Sequence, residues 1–522
     1  MKKTNPIHLS FLVNVFVMVG IILISWLYTG GVYFPVDDPY ISLKQGSNLL
    51  NGQFFTYSYD GEKTNSNTSV IYYFVSAAVM FFAKMLSQNI TDVLESAVIV
   101  NLIFNFLIMF IFILFYKRLV SLFELSIKAQ YLLVVSVSTA LPVMFAFISG
   151  FETGLTMTLM IVQLTFFLEK RMIWFVLISM VLAINRPENI VVNFAYIFIL
   201  FFIIKDLKIR EKWISIFFLF ASLFVVPLLN FYITGDLRSA SAARVGWHGF
   251  LFTPLNLFKG FSIAFKDPGW LPDIISTYLW YLRIVISSSI ILALLYVIFK
   301  NKSILNNESI KKWWKDDQLS DAKVILFVVM AAYVFLPVII AGEGEWGRYV
   351  SPVLPILYLL LALIINFKLF AYFIFIGLNL IMIPFYALSH VNVSSTMESL
   401  YLPVGLKINE ISGNNEVVAI DSAGYLSHFI NGSVVDVYGL GTTRYMKIHG
   451  DFDAVYQQLR DDKIDYAITW SYEKPTAYLD SAHYRKAFGS DSVIEIYRSN
   501  LRSFTEIGGE YPKHLVIYKI DK

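Results

Sequence analysis

A polytopic α-helical membrane protein with a small extracytoplasmic α/β domain after it is the fold class that three observations predict. Apolar stretches of about 18 residues or more, each enough to cross a hydrocarbon core, recur from Phe11 to Leu388. Charged residues are 15% of the 522 while the apolar and aromatic set reaches 57%, against roughly 25% charged in soluble domains. From Ser389 onward the chain turns polar and mixed. The expected division is a membrane domain over 1–388 and an outer domain over 389–522.

The first segment carries Lys2 and Lys3 ahead of its apolar run, and no small-residue cleavage pattern follows Tyr28, so it reads as an uncleaved first helix. Lys and Arg gather in short cytoplasmic loops, which allows a helix count to be tested against orientation. Counting Val70 to Leu86 as a full span puts Lys117, Arg118 and Lys128 outside. Reading that segment as interfacial or half-inserted returns Lys117, Arg118, Lys170, Arg171 and the basic runs within 205–212 and 300–315 to the cytoplasm. The expected spans are then 11–28, 93–116, 130–148, 151–168, 172–184, 189–204, 213–232, 277–299, 323–341, 350–367 and 368–388, about eleven in all. The tail falls on the outside.

The same assignment leaves the outer loops holding Asp37, Asp38, Glu152, Arg186, Glu188, Arg244, His248, Glu343, Glu345 and Arg348. Charges at the edge of a bilayer are costly, usually face a cavity and often mark function. The net charge of +3 comes without a basic run or groove, so nucleic acid is not an expected partner. With no cysteine the chain uses neither disulfides nor thiolate metal sites, and no paired metal-ligand spacing, phosphate loop or nucleophile elbow is present. Neither a metal nor a cofactor is expected.

The first outer loop runs Phe34-Pro-Val-Asp37-Asp38-Pro39-Tyr40-Ile41-Ser42, then Asn48-Leu49-Leu50-Asn51-Gly52. Asp37 can cap a helix whose first turn holds Pro39, and the apolar positions suit an interfacial amphipathic helix. Two adjacent carboxylates against a membrane cavity also suit a general base, because one is held less acidic than the other. This loop resembles that of the GT-C superfamily of lipid-phosphate-dependent glycosyltransferases, most closely its branch of mycobacterial-type arabinofuranosyltransferases and their bacterial relatives. That branch carries Asp-Asp-x-aromatic-Ile-Ser followed by Asn-Leu-x-x-Gly.

Further matches follow in chain order. Asn65-Ser-Asn-Thr68-Ser69 stands where relatives carry a polar Thr or Asn segment, and is by itself a polar loop. Ser149-Gly150-Phe151-Glu152-Thr153 resembles Ser-Gly-Leu-Glu-Thr, although Gly150 can also end one helix while Glu152 complements the dipole of the next. Asn185-Arg186-Pro187-Glu188 resembles Thr-Arg-Pro-Glu; Arg186 offers a planar donor fork to a phosphate, or closes a tight turn with Glu188. Glu343, Glu345 and Trp346 precede Gly347-Arg348-Tyr349, Pro352 and Pro355, matching an acidic-Trp, Gly-Arg-aromatic, Pro-x-x-Pro order. Arg348 suits a departing phosphate and also suits an interface by snorkelling. Arg244 lies where relatives have Lys, in a segment lacking their Leu-Pro-Asn-Thr core, and His248 beside Trp247 is as consistent with packing as with a site.

The resemblance implies a GT-C fold and an inverting transfer of a monosaccharide from a polyprenyl-phosphate donor to a cell-envelope glycan, lipid or protein. Asp37 is the first candidate base and Asp38 the second. Arg186, Glu188, Arg348 and Arg244 are the expected phosphate and lipid contacts, with Tyr40, Glu152, Glu343, Glu345, Trp346 and His248 lining the cavity. The implied location is a bacterial cytoplasmic membrane with the site facing outward. A transporter or flippase is the alternative, against which stand the gathering of charge at one face and the lack of an internal repeat.

In the tail, β-rich runs at 417–420, 434–437, 466–470, 493–498 and 515–520 alternate with helical stretches such as 452–459, which predicts a small α/β domain. Asp421-Ser-Ala-Gly424-Tyr425 and Asp436-Val-Tyr-Gly439-Leu440 follow strands and read as turns. A lid or acceptor-recognition role is expected there, without a catalytic one.

Overall fold

The computed structural model describes residues 6–58, 61–64, 69–123, 125–186, 189–202, 207–235, 237, 325–326, 328–329, 351–365, 369–421, 423–439, 441–448, 451–471, 481–500 and 514–521. The expected span 277–299, most of 323–341, and the sites Glu188, Arg244, His248, Glu343, Glu345, Trp346 and Arg348 lie outside the described residues.

Ten helices build the described part of the membrane domain up to Thr234. They are α1 Pro6–Thr29, α2 Asp38–Leu50, α3 Val70–Leu86, α4 Ile90–Ser121, α5 Ile127–Ser138, α6 Leu141–Ile148, α7 Thr153–Leu168, α8 Met172–Asn185, α9 Asn189–Phe202 and α10 Ile209–Thr234. Among the described residues, stretches of α1, α4 and α10 are long and apolar enough to cross a membrane. The expected single span 130–148 is instead α5 and α6, bent by 54° at their junction. Pro142 in the first turn of α6 accounts for the break, because it has no N–H with which to continue the hydrogen bonding of α5. The 17 residues of α3 reach about 25 Å, short of a full hydrocarbon core, as an interfacial or half-inserted segment would.

Central to the bundle is α7, buried on nearly every side against α4, α6 and α8. Apolar packing alone does not orient helices in lipid, so interhelical hydrogen bonds matter. Gln163 on α7 donates to Ser179 Oγ (2.8 Å) on α8 and Asn193 Oδ1 (3.0 Å) on α9, and Asn193 donates to Ser222 Oγ (2.9 Å) on α10. Large apolar side chains such as Phe16, Phe82, Leu107 and Phe217 point outward, as lipid-facing residues do.

After α11, Leu354–Ile365, helix α12 runs Leu369–Thr396 through the expected domain boundary, and a π-helical turn over Met397–Tyr401 leads into α13, Leu402–Ile411. The C-terminal domain, called outer after the side on which the charge distribution in the sequence would place it, carries the five expected strands: β1 Val417–Ile420, β2 Ser433–Asp436, β3 Tyr466–Ser471, β4 Val493–Asn500 and β5 His514–Ile520. Their order is β2-β1-β3-β5-β4, with the first three parallel and β5 antiparallel to both neighbours. Strand alternation sends Ala419, Val435 and Val516 to one face, under α15 Phe452–Asp461 and α16 Ser481–Phe488, which follow the short α14 Thr443–Lys447. Val418, Ile420, Val434, Ile468 and Ile517 fill the other face and join the core of the membrane domain through Leu400, Val404, Tyr425 and Phe429. The outer domain is thus welded to the bundle on one side of its sheet.

Candidate active site

The loop after α1 turns at Gly30, whose left-handed φ of 81° ends that helix, and leads into α2. Asp37 occupies the N-cap position of α2 yet makes no capping hydrogen bond. Its carboxylate instead accepts the backbone N–H of Gly424 at Oδ2 (3.0 Å) and of Tyr425 at Oδ1 (2.7 Å), both from the turn after β1. Only glycine permits this approach at 424: a Cβ there would lie 2.2 Å from the Asp37 carbonyl oxygen and 2.4 Å from its carboxyl carbon. Asp38 follows in the first turn of the helix, half-buried.

The same face of α2 carries Tyr40 and Lys44, three and seven positions on, so all three side chains point at the outer domain. Tyr40 is fully buried, its ring set edge-on against Phe34 (5.2 Å between centroids) and Tyr425 (5.0 Å) and its hydroxyl accepting from Phe34 N–H (3.2 Å). Lys44 donates to the Ser427 carbonyl at 2.8 Å. Burial, then the charge of Lys84, pushes its ammonium down to about 8. His428 is held down to about 3 by burial and by Lys44, so its ring is neutral and its Nε2 donates to the Tyr40 carbonyl (2.9 Å). Tyr57, also in the first outer loop, donates to the Ala423 carbonyl, and Ser58 Oγ accepts from Val434 N–H (2.9 Å). A little further along, Glu62 pairs with Arg444, which also meets Asp462.

Beneath Phe34 lies a buried polar layer built from three turns. Gly150 has a φ of 77°, and a Cβ there would strike the Phe34 ring at 2.5 Å. Its carbonyl accepts from Tyr72 (2.6 Å), whose hydroxyl accepts from Asn101 (2.8 Å). Ser69 caps α3 and donates to Asn185 Oδ1 (2.9 Å), while Asn185 donates to Thr156 Oγ1 (2.7 Å). Within this layer Arg186 Nη1 stands 3.4 Å from Glu152 Oε1, with their side chains 1% and 9% exposed. Glu188 was the acid expected beside Arg186; the described acid that meets it is Glu152, brought in by the start of α7.

The structure therefore brings Asp37 and Tyr40 together with the outer-domain turn, and Arg186 together with Glu152. Sequence reasoning missed Gly424, Tyr425, Lys44 and Tyr57 as partners of the acidic loop. The Asp-Ser-Ala-Gly-Tyr turn was visible after its strand, but no local pattern tied it to a residue 387 positions earlier.

No protein-family model matches the sequence, and no curated protein matches it. Solved structures do. The apo crystal structure of ArnT from Cupriavidus metallidurans matches at a TM-score of 0.51 and 11% identity, over 97% of each chain. The structure of the same protein bound to undecaprenyl phosphate matches at 0.50 and 10% identity, over 96% of this chain and 97% of that one. The mycobacterial arabinofuranosyltransferase AftD matches over 98% of this chain and 40% of that chain, at 10% identity and a TM-score of 0.48. Near-complete coverage of both chains, from the first helix to the outer sheet, makes the fold of this protein the GT-C fold.

Proposed function

We propose that the protein is a membrane glycosyltransferase that takes a monosaccharide from a polyprenyl-phosphate carrier and delivers it to an extracytoplasmic acceptor. The observation that carries this reading is the match of both chains, end to end, to ArnT, whose solved complex holds undecaprenyl phosphate. The acidic pair at the start of α2 and the buried Arg186–Glu152 pair support it. In this reading Asp37 accepts the proton of the acceptor hydroxyl as the hydroxyl oxygen bonds to the anomeric carbon. The bond from that carbon to the phosphate oxygen breaks on the opposite face, and the polyprenyl phosphate leaves with the electron pair. Arg186, oriented by Glu152, and Arg348 stabilise the departing phosphate.

The test is transfer of labelled sugar from a panel of synthetic polyprenyl-phosphate monosaccharides by purified protein in nanodiscs. Wild type is compared with Asp37→Asn and Asp38→Asn. Transfer or slow donor hydrolysis that disappears in Asp37→Asn, with donor binding kept, is the expected result. A donor panel that neither binds nor reacts defeats the reading and turns attention to a transporter; full activity in both variants defeats the assignment of the base.

A further inference from the structure

The outer domain touches the membrane domain at the one carboxylate that leads the candidate site, and it does so with main-chain donors. Asp37 stands at the N-cap position of α2 without a capping hydrogen bond, and both its oxygens accept amides from the turn after β1. Four further features lock that turn: Tyr57 on the Ala423 carbonyl, Lys44 on the Ser427 carbonyl, His428 on the Tyr40 carbonyl, and Ser427 Oγ donating back to the Gly424 carbonyl (2.7 Å). Gly424 leaves the gap through which the two backbones approach. A surface-capped domain that merely covered the site would not need this convergence on a single side chain.

Building on the function proposed above, we infer that the Gly424 and Tyr425 amides are positioning groups of the active site, which fix the plane of the Asp37 carboxylate and favour its charged form. A carboxylate oxygen has two lone-pair directions, so accepting one amide does not exhaust the capacity of either oxygen. The acceptor hydroxyl hydrogen-bonds to one of them, and its proton passes to that oxygen as the glycosidic bond forms. Amide donors bind the charged carboxylate more strongly than the protonated acid. Removing them therefore raises the pH at which the base becomes protonated, and the acid limb of the transfer rate moves to higher pH.

Two variants and one exchange experiment test this, all on the full chain in nanodiscs. Gly424→Ala forces the turn away from Asp37, whereas Tyr57→Phe keeps the buried ring and removes only the hold on the Ala423 carbonyl. Gly424→Ala is expected to move the acid limb up by about one pH unit and to slow transfer at pH 7 roughly 10- to 100-fold, with the donor KM unchanged. Tyr57→Phe is expected to move the limb in the same direction by less, and it decides the matter should Gly424→Ala fail to fold. Independently of any activity, hydrogen exchange of the peptide spanning 423–428 should be slow in wild type and at least about tenfold faster in Asp37→Ala. Rates that fall in Tyr57→Phe with the acid limb unmoved overturn the inference, and so does exchange that is the same with and without the Asp37 carboxylate. A wild type that transfers from no donor defeats the proposed function instead, and the exchange result then shows on its own whether the clamp exists.

Discussion

Changing Glu152 to Gln keeps the shape of the buried pair and removes one of its charges, leaving Arg186 charged with 1% of its side chain exposed. Two unit charges 3.4 Å apart attract by about 5 kcal/mol at an effective dielectric constant of 20. Losing one partner of such a pair typically costs about 3–5 kcal/mol, because the remaining charge stays out of water. A chain of this size spreads that loss over a large unfolding entropy, so the apparent midpoint in detergent should fall by on the order of 5 °C. Glu152→Gln with Arg186→Met removes both charges and should be milder than Glu152→Gln alone. If Arg186 holds the carrier phosphate, added undecaprenyl phosphate raises the midpoint of Glu152→Gln more than that of wild type, since the phosphate replaces the missing negative charge. A midpoint for Glu152→Gln within about 1 °C of wild type, or a double variant that loses the sum of its single losses, refutes the reasoning.

Two other outcomes follow from the outer domain. Asp421 directly follows β1 and is buried, Thr469 Oγ1 (3.0 Å) and Trp470 N–H (3.2 Å) donate to one of its oxygens, and burial pushes its carboxyl up to about 7. A folded value above the unfolded 3.8 means the stability it contributes is complete below about pH 4 and is lost as pH rises towards 7. The outer domain should therefore be a few kcal/mol less stable at pH 8 than at pH 5 by unfolding midpoint, and Asp421→Asn should abolish that difference; an unchanged pH dependence in the variant counts against it. Because the chain has no cysteine, sidedness can be read from single introduced ones. An impermeant maleimide on intact cells should label Asn414→Cys and reach Ser121→Cys only after lysis, and the reverse pattern would invert the topology.

Much of the architecture was legible because it is written in local periodicity. The five C-terminal strands fall on the runs expected of them. The bend at Pro142 was readable in principle and was passed over, since an unbroken apolar count outweighed one proline. Within the site, Asp37 was singled out from its neighbours in sequence as a candidate base, with helix capping as the alternative reading, and the structure shows it at the N-cap position without a capping hydrogen bond. The helix begins where a cap would put it, and tertiary contacts take the side chain elsewhere.

The sequence by itself determined the membrane composition, most of the described helix segments, the five strands and the acidic pair that heads α2, because these depend on each residue and its near neighbours. Only the tertiary structure decided that Arg186 meets Glu152, that Lys44 is buried against the outer domain and that Asp37 receives the amides of Gly424 and Tyr425. Those contacts join segments far apart in the chain, and main-chain donors look the same at every position of a sequence. Which ones reach a carboxylate is set by how the sheet is anchored on the bundle, and that anchoring is a property of the packed whole.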